Sequence, residues 1–267
     1  MRTRSGVLAV ALPLAATLLA SACSSSSASS SAAGGSSAAA ASVTKITAIG
    51  AENEYADVIA QVGGKYVQAS SIMSNPNTDP HTFEASPAVA REITAAKLVV
   101  QNGVGYDNWA TTIENADPGG GRKVINVQQL LGLPDSTPNP HLWYKPTTMP
   151  AVASAIATDL AQIDPAHASY YKANAASFTA SLAAWTNAIA AFKAAHPGTP
   201  VATTEPVADY LLTALGADDK TPWTFQSDVM NGVDPSPQNA AAERAARKLS
   251  SASAINPNGS FLRPANS

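Results

Sequence analysis

From Val43 onward the chain alternates short apolar runs with stretches of helical spacing. Val43 to Gly50 (VTKITAIG) has the composition of a strand, and Glu52 to Gln61 repeats apolar positions at helical intervals before Gly63 and Gly64 close it. Tyr66 to Met73 predicts a second strand, Leu98 to Asn102 (LVVQN) a third and Lys123 to Val127 a fourth. After the second strand, a loop from Ser74 to Phe83 leads to Ser86. That residue is an N-cap with Pro87 at the first helical position, opening a helix to about Lys97. Thr148 to Ile163 predicts a further helix, with Pro150 tolerated near its start. Strands alternating with helices predict an α/β fold, with parallel sheets flanked by helices.

Asp164-Pro165 then opens a long Ala-rich segment. Asp caps, Pro occupies the first turn, and the run from Pro165 to Ala195 contains no internal Gly or Pro. A continuous helix of that length would run roughly 46 Å. Tyr171, Phe178, Leu182, Trp185, Ile189 and Phe192 form an apolar stripe along it. Such a helix exceeds the width of a small lobe, so it is expected to be one rigid link between two lobes. Beyond it, Thr199 to Thr204 reads as a strand and Pro206 to Leu215 as a helix ending at Gly216. From about Ala246 the chain turns polar, with no strand or helix pattern. The second lobe is then much shorter than the first, the asymmetry expected of an incomplete lobe in a truncated or frame-shifted chain.

The stretch before Val43 follows another logic. Arg2 and Arg4 precede an apolar run, Val7 to Ala20, too short for an ordinary membrane span, and Ala20, Ser21 and Ala22 lead into Cys23. This is the layout of a lipoprotein signal peptide over residues 1–22, cleaved before a lipidated Cys23. Ala20 stands where the usual pattern has Leu, and Leu19 lies one place earlier. Ser24 to Ser42 are almost wholly Ser, Ala and Gly, a stretch that cannot bury enough apolar surface to fold, so residues 23–42 form a flexible tether. The expected organisation continues with a first lobe over 43–164, a linking helix over 165–196, and a partial second lobe with an irregular tail over 197–267. An exported, lipid-anchored protein on the cell surface or in the periplasm is the consequence.

Composition narrows the functional classes. Net charge is −3, and loss of Arg2 and Arg4 with the signal segment lowers it to −5. Nothing there favours nucleic acid, which requires a basic face. Cys23 is the only cysteine, so neither an intrachain disulfide nor a thiolate cluster can form.

Four histidines are present: His81, His141, His167 and His196. His81 and His141 each follow a proline, in NPNTDPHTF and NPHLWY. Pro80 and Pro140 restrict the backbone and lower the entropy of placing an imidazole. Loops beyond the C-terminal ends of parallel strands are where open α/β sheets bind ligands. A lone histidine is nevertheless more often a hydrogen-bonded structural residue. Glu205 ends the strand VATTE just before Pro206, pointing toward the same kind of cleft or serving as a charge at a helix N-terminus. His167 in the first turn of the long helix and His196 at its end read as helix-terminal residues.

Several ordered motifs are similar to those of the solute-binding lipoproteins of zinc/manganese-type metal ABC importers. They are AENEYADVIAQVGG, DPHTFEASP, LVVQNGVGYD, NPHLWY, DPAHASYYKANAASF and TEPVADYLLTALG, with WTFQ and NGVDPSPQ beyond them. The resemblance implies two α/β lobes joined by a rigid helix, with a metal held between them by His81, His141 and Glu205. It implies no enzyme activity, a monomer, and an ABC permease as partner. The family's fourth ligand, an aspartate further along, has no counterpart; Asp228 and Asp234 precede that motif. Two imidazoles and a carboxylate suit Zn²⁺, Mn²⁺ or Fe²⁺, with the glutamate tilting slightly toward manganese or iron. Other readings are a degenerate or non-transporting surface protein (an adhesin or scaffold) and a metallohydrolase. For the latter, Glu52, Glu54, Asp79 and Glu84 lie near the relevant loops, but no motif assigns any of them as a general base.

Overall fold

The computed structural model describes residues 44–75, 78 and 80–253, with backbone alone for residues 81, 252 and 253. The expected signal peptide, Cys23 and the whole tether region lie outside the described residues, as does Asp79. Four parallel strands form the larger sheet: β1 (Ile46–Glu52), β2 (Val67–Met73), β3 (Leu98–Gln101) and β4 (Lys123–Asn126), in the order β2-β1-β3-β4. β1 pairs with β2 from Ile46 opposite Val67 to Glu52 opposite Met73, and with β3 from Ala48 opposite Leu98 to Gly50 opposite Val100. Every residue of β3 is buried, as a central parallel strand covered on both faces requires.

The covering helices explain the two-sided burial. α1 (Asn53–Gly63) turns Tyr55, Ala56, Val58, Ile59 and Val62 inward at helical spacing. With α5 (Thr148–Ile163) and α6 (Ala168–Ser181) it packs on the face that presents Ala48, Leu98 and Val100. α2 (Pro87–Ala95) and α3 (Asn108–Ala116) cover the opposite face, where Ile49 and Val99 meet Ile93 and Ala110. The Ser86 hydroxyl accepts from the Val89 N–H at 3.3 Å, fulfilling its expected role as N-cap. A single turn, α4 (Val127–Leu130), follows β4 and is capped by the Asn126 side chain.

A long helical segment runs where it was expected, but in two pieces. After a 3₁₀ turn at Pro165–His167, α6 is followed by α7 (Ala183–Ala195), with Leu182 between them at ψ −5°. The Ser181 hydroxyl donates to the Phe178 carbonyl at 2.7 Å, while Leu182 N–H turns to the Thr179 carbonyl. A side-chain hydroxyl competing for helix carbonyls bends the ladder.

The smaller sheet is minimal. β5 is Pro200–Val201, not the longer Thr199 to Thr204, and pairs in parallel with β6 (Asp218–Asp219). The ladder stops because the Thr203 N–H donates to the Thr221 hydroxyl instead of a strand carbonyl. α8 (Asp209–Ala214) and α9 (Trp223–Met230) follow, the first preceded by a 3₁₀ turn at Pro206–Ala208. The irregular stretch expected from about Ala246 is corrected for residues 246–253, which continue α10 (Pro237–Ser253). Its AAAERAARKL core is rich in helix formers, and Arg247 bonds Glu243 one turn back at 2.7 Å. No helix among the described residues is long and apolar enough to cross a membrane.

At the C-terminal ends of β1 and β3 the packing becomes polar. Asp107 is buried, and its carboxylate accepts the backbone N–H groups of Asn102 and Gly103. Burial still carries its pKa up to about 6, against the lowering effect of those bonds. Glu52 faces it, buried, with no hydrogen-bond partner of normal geometry for either oxygen among the described residues. Burial first, and the Asp107 charge second, push Glu52 well above the ordinary carboxylate range.

Two outcomes are expected. Where the folded pKa exceeds the unfolded one, stability is complete below the unfolded value, about 4 for a carboxyl, and is lost as pH rises through the folded value. Glu52 (raised), Asp107 (about 6), Asp209 (about 6) and Glu114 (about 7) all carry that sign, burial being the first cause in each. Urea melts at pH 5 and pH 8 should show lower stability at pH 8, with a smaller difference in Glu52→Gln, whose amide does not titrate. Gly50→Ala should cost about 1–3 kcal/mol in the same melts. Its Cβ would lie 2.3 Å from the Ala56 nitrogen, against backbone that cannot step aside.

Candidate metal centre

The strand order β2-β1-β3-β4 reverses direction between β1 and β3, and open α/β sheets hold ligands in the crevice at such a reversal. Three segments reach that crevice from the strand ends: the start of α1, the turn after β3, and the loop before α5.

The turn after β3 is conformationally demanding. Gly103, Val104 and Gly105 have φ of +79°, +54° and +74°, a left-handed run in which Val104 is a β-branched outlier. The Asp107 carboxylate closes the turn from one side, and Gln128 accepts the Val104 N–H at 2.6 Å from the other. This framework delivers Tyr106 to the cleft.

The loop before α5 delivers His141. Its φ of −77° and ψ of 56°, with Leu142 N–H donating to the Pro140 carbonyl at 2.7 Å, make it the centre of an inverse γ-turn. The imidazole is buried, 5% exposed. Asn139 Oδ1 accepts both the His141 backbone N–H (3.0 Å) and Nδ1–H (2.8 Å). With Nδ1 protonated, Nε2 is the nitrogen with the lone pair. Tyr106 and Trp143 stand edge-on to the ring at centroid distances of 5.9 and 5.4 Å, so its walls are aromatic.

Glu205 lies in the loop beyond β5, just before the 3₁₀ turn Pro206–Ala208. The residue is extended (φ −137°, ψ 159°) and leads into Pro206. A polar cluster holds the chain two residues before it: Gln226 Nε2 donates to Thr203 Oγ1 (2.7 Å) and to Asp219 (3.1 Å), and Thr203 Oγ1 donates to Asp219 (3.0 Å). Burial, and then Asp219, raise the neighbouring Asp209 to about 6.

One cleft of about 470 Å³ is lined by residues from all these segments, among them Glu54, Pro80, Tyr106, His141, Trp143 and Glu205. The structure thus brings His141 and Glu205 to a common cavity, with Pro80 on its wall. The backbone of His81 follows Pro80 in the 3₁₀ turn Pro80–Thr82, while its side chain lies outside the described residues. Among the described residues, no three His, Cys, Asp or Glu side chains are close enough together to hold a metal. Glu205 also borders a second cavity, of about 600 Å³, with Thr203, Arg247 and Ser250.

His167 lies elsewhere, stacked on Tyr66 at 3.7 Å and bonded to Asp164 at 2.7 Å. His196 contacts Phe192 at the end of α7. Both serve the helix ends, as their positions predict. Of the carboxylates weighed as general bases, Glu52 is sealed beneath the cleft, Glu54 lines it and Glu84 is exposed. Sequence reasoning did not single out Tyr106, Trp143 or Asn139. The Asn-Pro-His order was the available signal for the last of these, since an Asx side chain two residues before a histidine can reach both its N–H groups.

Comparison with known proteins gives concordant results. A protein of Treponema pallidum (strain Nichols) described as metal-binding is 25% identical over 149 residues, 49% of this chain and 47% of the relative. The chain therefore matches about half the length of that curated relative. The FpvC solute-binding protein of Pseudomonas aeruginosa, solved with Ni²⁺, superposes with a TM-score of 0.59 at 23% identity, covering 76% of this chain and 74% of FpvC. The periplasmic zinc-binding protein TroA of Treponema pallidum gives 0.57 at 18% identity, covering 66% of each chain. These two likenesses establish the fold. The periplasmic component A of the zinc-uptake complex (ZnuA) is the family whose signature spans residues 51–257, and the chain belongs to that family of solute-binding proteins of metal ABC importers.

Proposed function

We propose that this protein is an extracytoplasmic receptor that captures a divalent transition metal and delivers it to the permease of an ABC importer. The ion is held between two lobes by His81, His141 and Glu205, with Nε2 as the donor atom of His141. The observation that carries the reading is the shared cleft: an imidazole from the loop before α5 and a carboxylate from the loop after β5 line one cavity at the reversal point of the larger sheet. The donor set is nitrogen and oxygen without sulfur, which suits Zn²⁺, Mn²⁺ or Fe²⁺. The zinc named for TroA and the nickel named for FpvC belong to the same group of first-row dications. Anchoring through a lipidated Cys23, with residues 24–42 as a tether, keeps a monomeric head beside its permease. Binding and release, rather than catalysis, is its activity.

A ligand that binds only the folded state stabilises it by about 2.7 kcal/mol at one hundred times its dissociation constant. Zn²⁺ or Mn²⁺ should therefore raise the melting temperature of the purified protein. His81→Ala, His141→Ala and Glu205→Ala should each abolish or sharply reduce the rise. His167→Ala should retain it, although the starting temperature drops with the loss of the Tyr66 stack. Absence of any metal-dependent rise in the unaltered protein would overturn the receptor reading and leave a non-transporting surface protein in its place.

A further inference from the structure

We propose that Asn139 is a positioning residue that couples the setting of the His141 imidazole to the docking of the Glu205 segment, so that both sides of the cleft are set together. The inference rests on the metal-receptor reading for its function, and on hydrogen bonds alone for its mechanism.

The Asn139 carboxamide is buried, 6% exposed, and its orientation follows from its partners. The backbone N–H of His141 can only donate, so the atom facing it is Oδ1. The carbonyl of Pro206 can only accept, so the atom 2.7 Å from it is Nδ2. One planar group therefore holds the imidazole at one end and the residue after Glu205 at the other, across 67 positions of sequence. A second tie runs parallel: the Tyr210 hydroxyl on α8 donates to the Asn139 main-chain carbonyl at 2.9 Å. The loop is also anchored from the larger sheet, where Asn102 Nδ2 donates to the Pro140 carbonyl at 2.8 Å and Tyr55 donates to Asn102 Oδ1 at 2.6 Å. Displacement of the Pro206 segment thus strands a buried amide donor, and rotation of His141 strands the amide oxygen. Neither side of the cleft moves without cost to the other.

Three variants separate the parts. At pH 8 an ionised side chain in Asn139→Asp still accepts from both His141 N–H groups but cannot donate to Pro206. Tyr210→Phe removes only the parallel tie, and Asn139→Ala removes every side-chain bond. In the metal-free proteins, the ¹⁵N shifts of His141 should report an Nδ1–H tautomer in the unaltered chain, Asn139→Asp and Tyr210→Phe, and a mixture in Asn139→Ala. Hydrogen exchange of amides 207–214 should quicken in all three. Zn²⁺ affinity, read by competition with a chelating dye, should fall roughly 10–100-fold in Asn139→Asp despite the retained tautomer. Unchanged exchange at 207–214 and unchanged affinity in Asn139→Asp would overturn the coupling. Should the unaltered protein bind no metal, the receptor reading fails on its own, and the tautomer and exchange measurements still decide whether the coupling exists.

Discussion

The carboxylate of Asp107, accepting two backbone N–H groups at the end of β3, is the fixed point on which the rest of the cleft depends. Held in place by it, Asn102 presents its side-chain amide to the Pro140 carbonyl, which in turn anchors the γ-turn at His141. Asn139 extends the same line to Pro206 and hence to Glu205. The route from sheet to site is a series of carboxamide and carbonyl contacts, each buried and each directional. Apolar packing brings the strands together; these polar contacts decide which atoms face the cavity.

The same fixed point has an electrostatic side. The buried carboxyls of Glu52 and Asp107, both pushed upward first by burial, lie beneath the cleft where a dication is proposed to sit. Tyr106 and Trp143, each half-buried, stand edge to face along the cleft with ring centroids 5.2 Å apart. The backbone takes up unusual conformations in return, visible in the left-handed run at Gly103, Val104 and Gly105.

Much of the architecture was legible because it rests on periodicity. The four parallel strands, α1, α2 and α5 follow directly from apolar spacing, and Ser86-Pro87 announced a helix start that the Ser86 hydroxyl fulfils. What escaped was decided by side-chain competition. The break at Leu182 comes from a serine hydroxyl, and the shortness of β5 from a threonine hydroxyl, neither of which alters a hydropathy pattern. α3 (NWATTIENA) is weakly helical by composition and is stabilised by packing Ala110 against the sheet. At the site, family resemblance pointed to His141 and Glu205, and both line one cleft. The roles of Asn139 and Asp107 were hidden because they depend on contacts between segments apart in sequence.

The brevity of the smaller sheet has a dynamic consequence. A two-residue ladder contributes few backbone bonds, so the part of the chain that carries Glu205 opens at a lower free energy than the four-stranded layer that carries His141. On the proposed receptor reading, departure of the ion would begin with the segment carrying Glu205, whose movement strains the Asn139–Pro206 bond and with it the setting of His141. Residence time would then follow fraying at β5 and β6 rather than opening of the four-stranded layer.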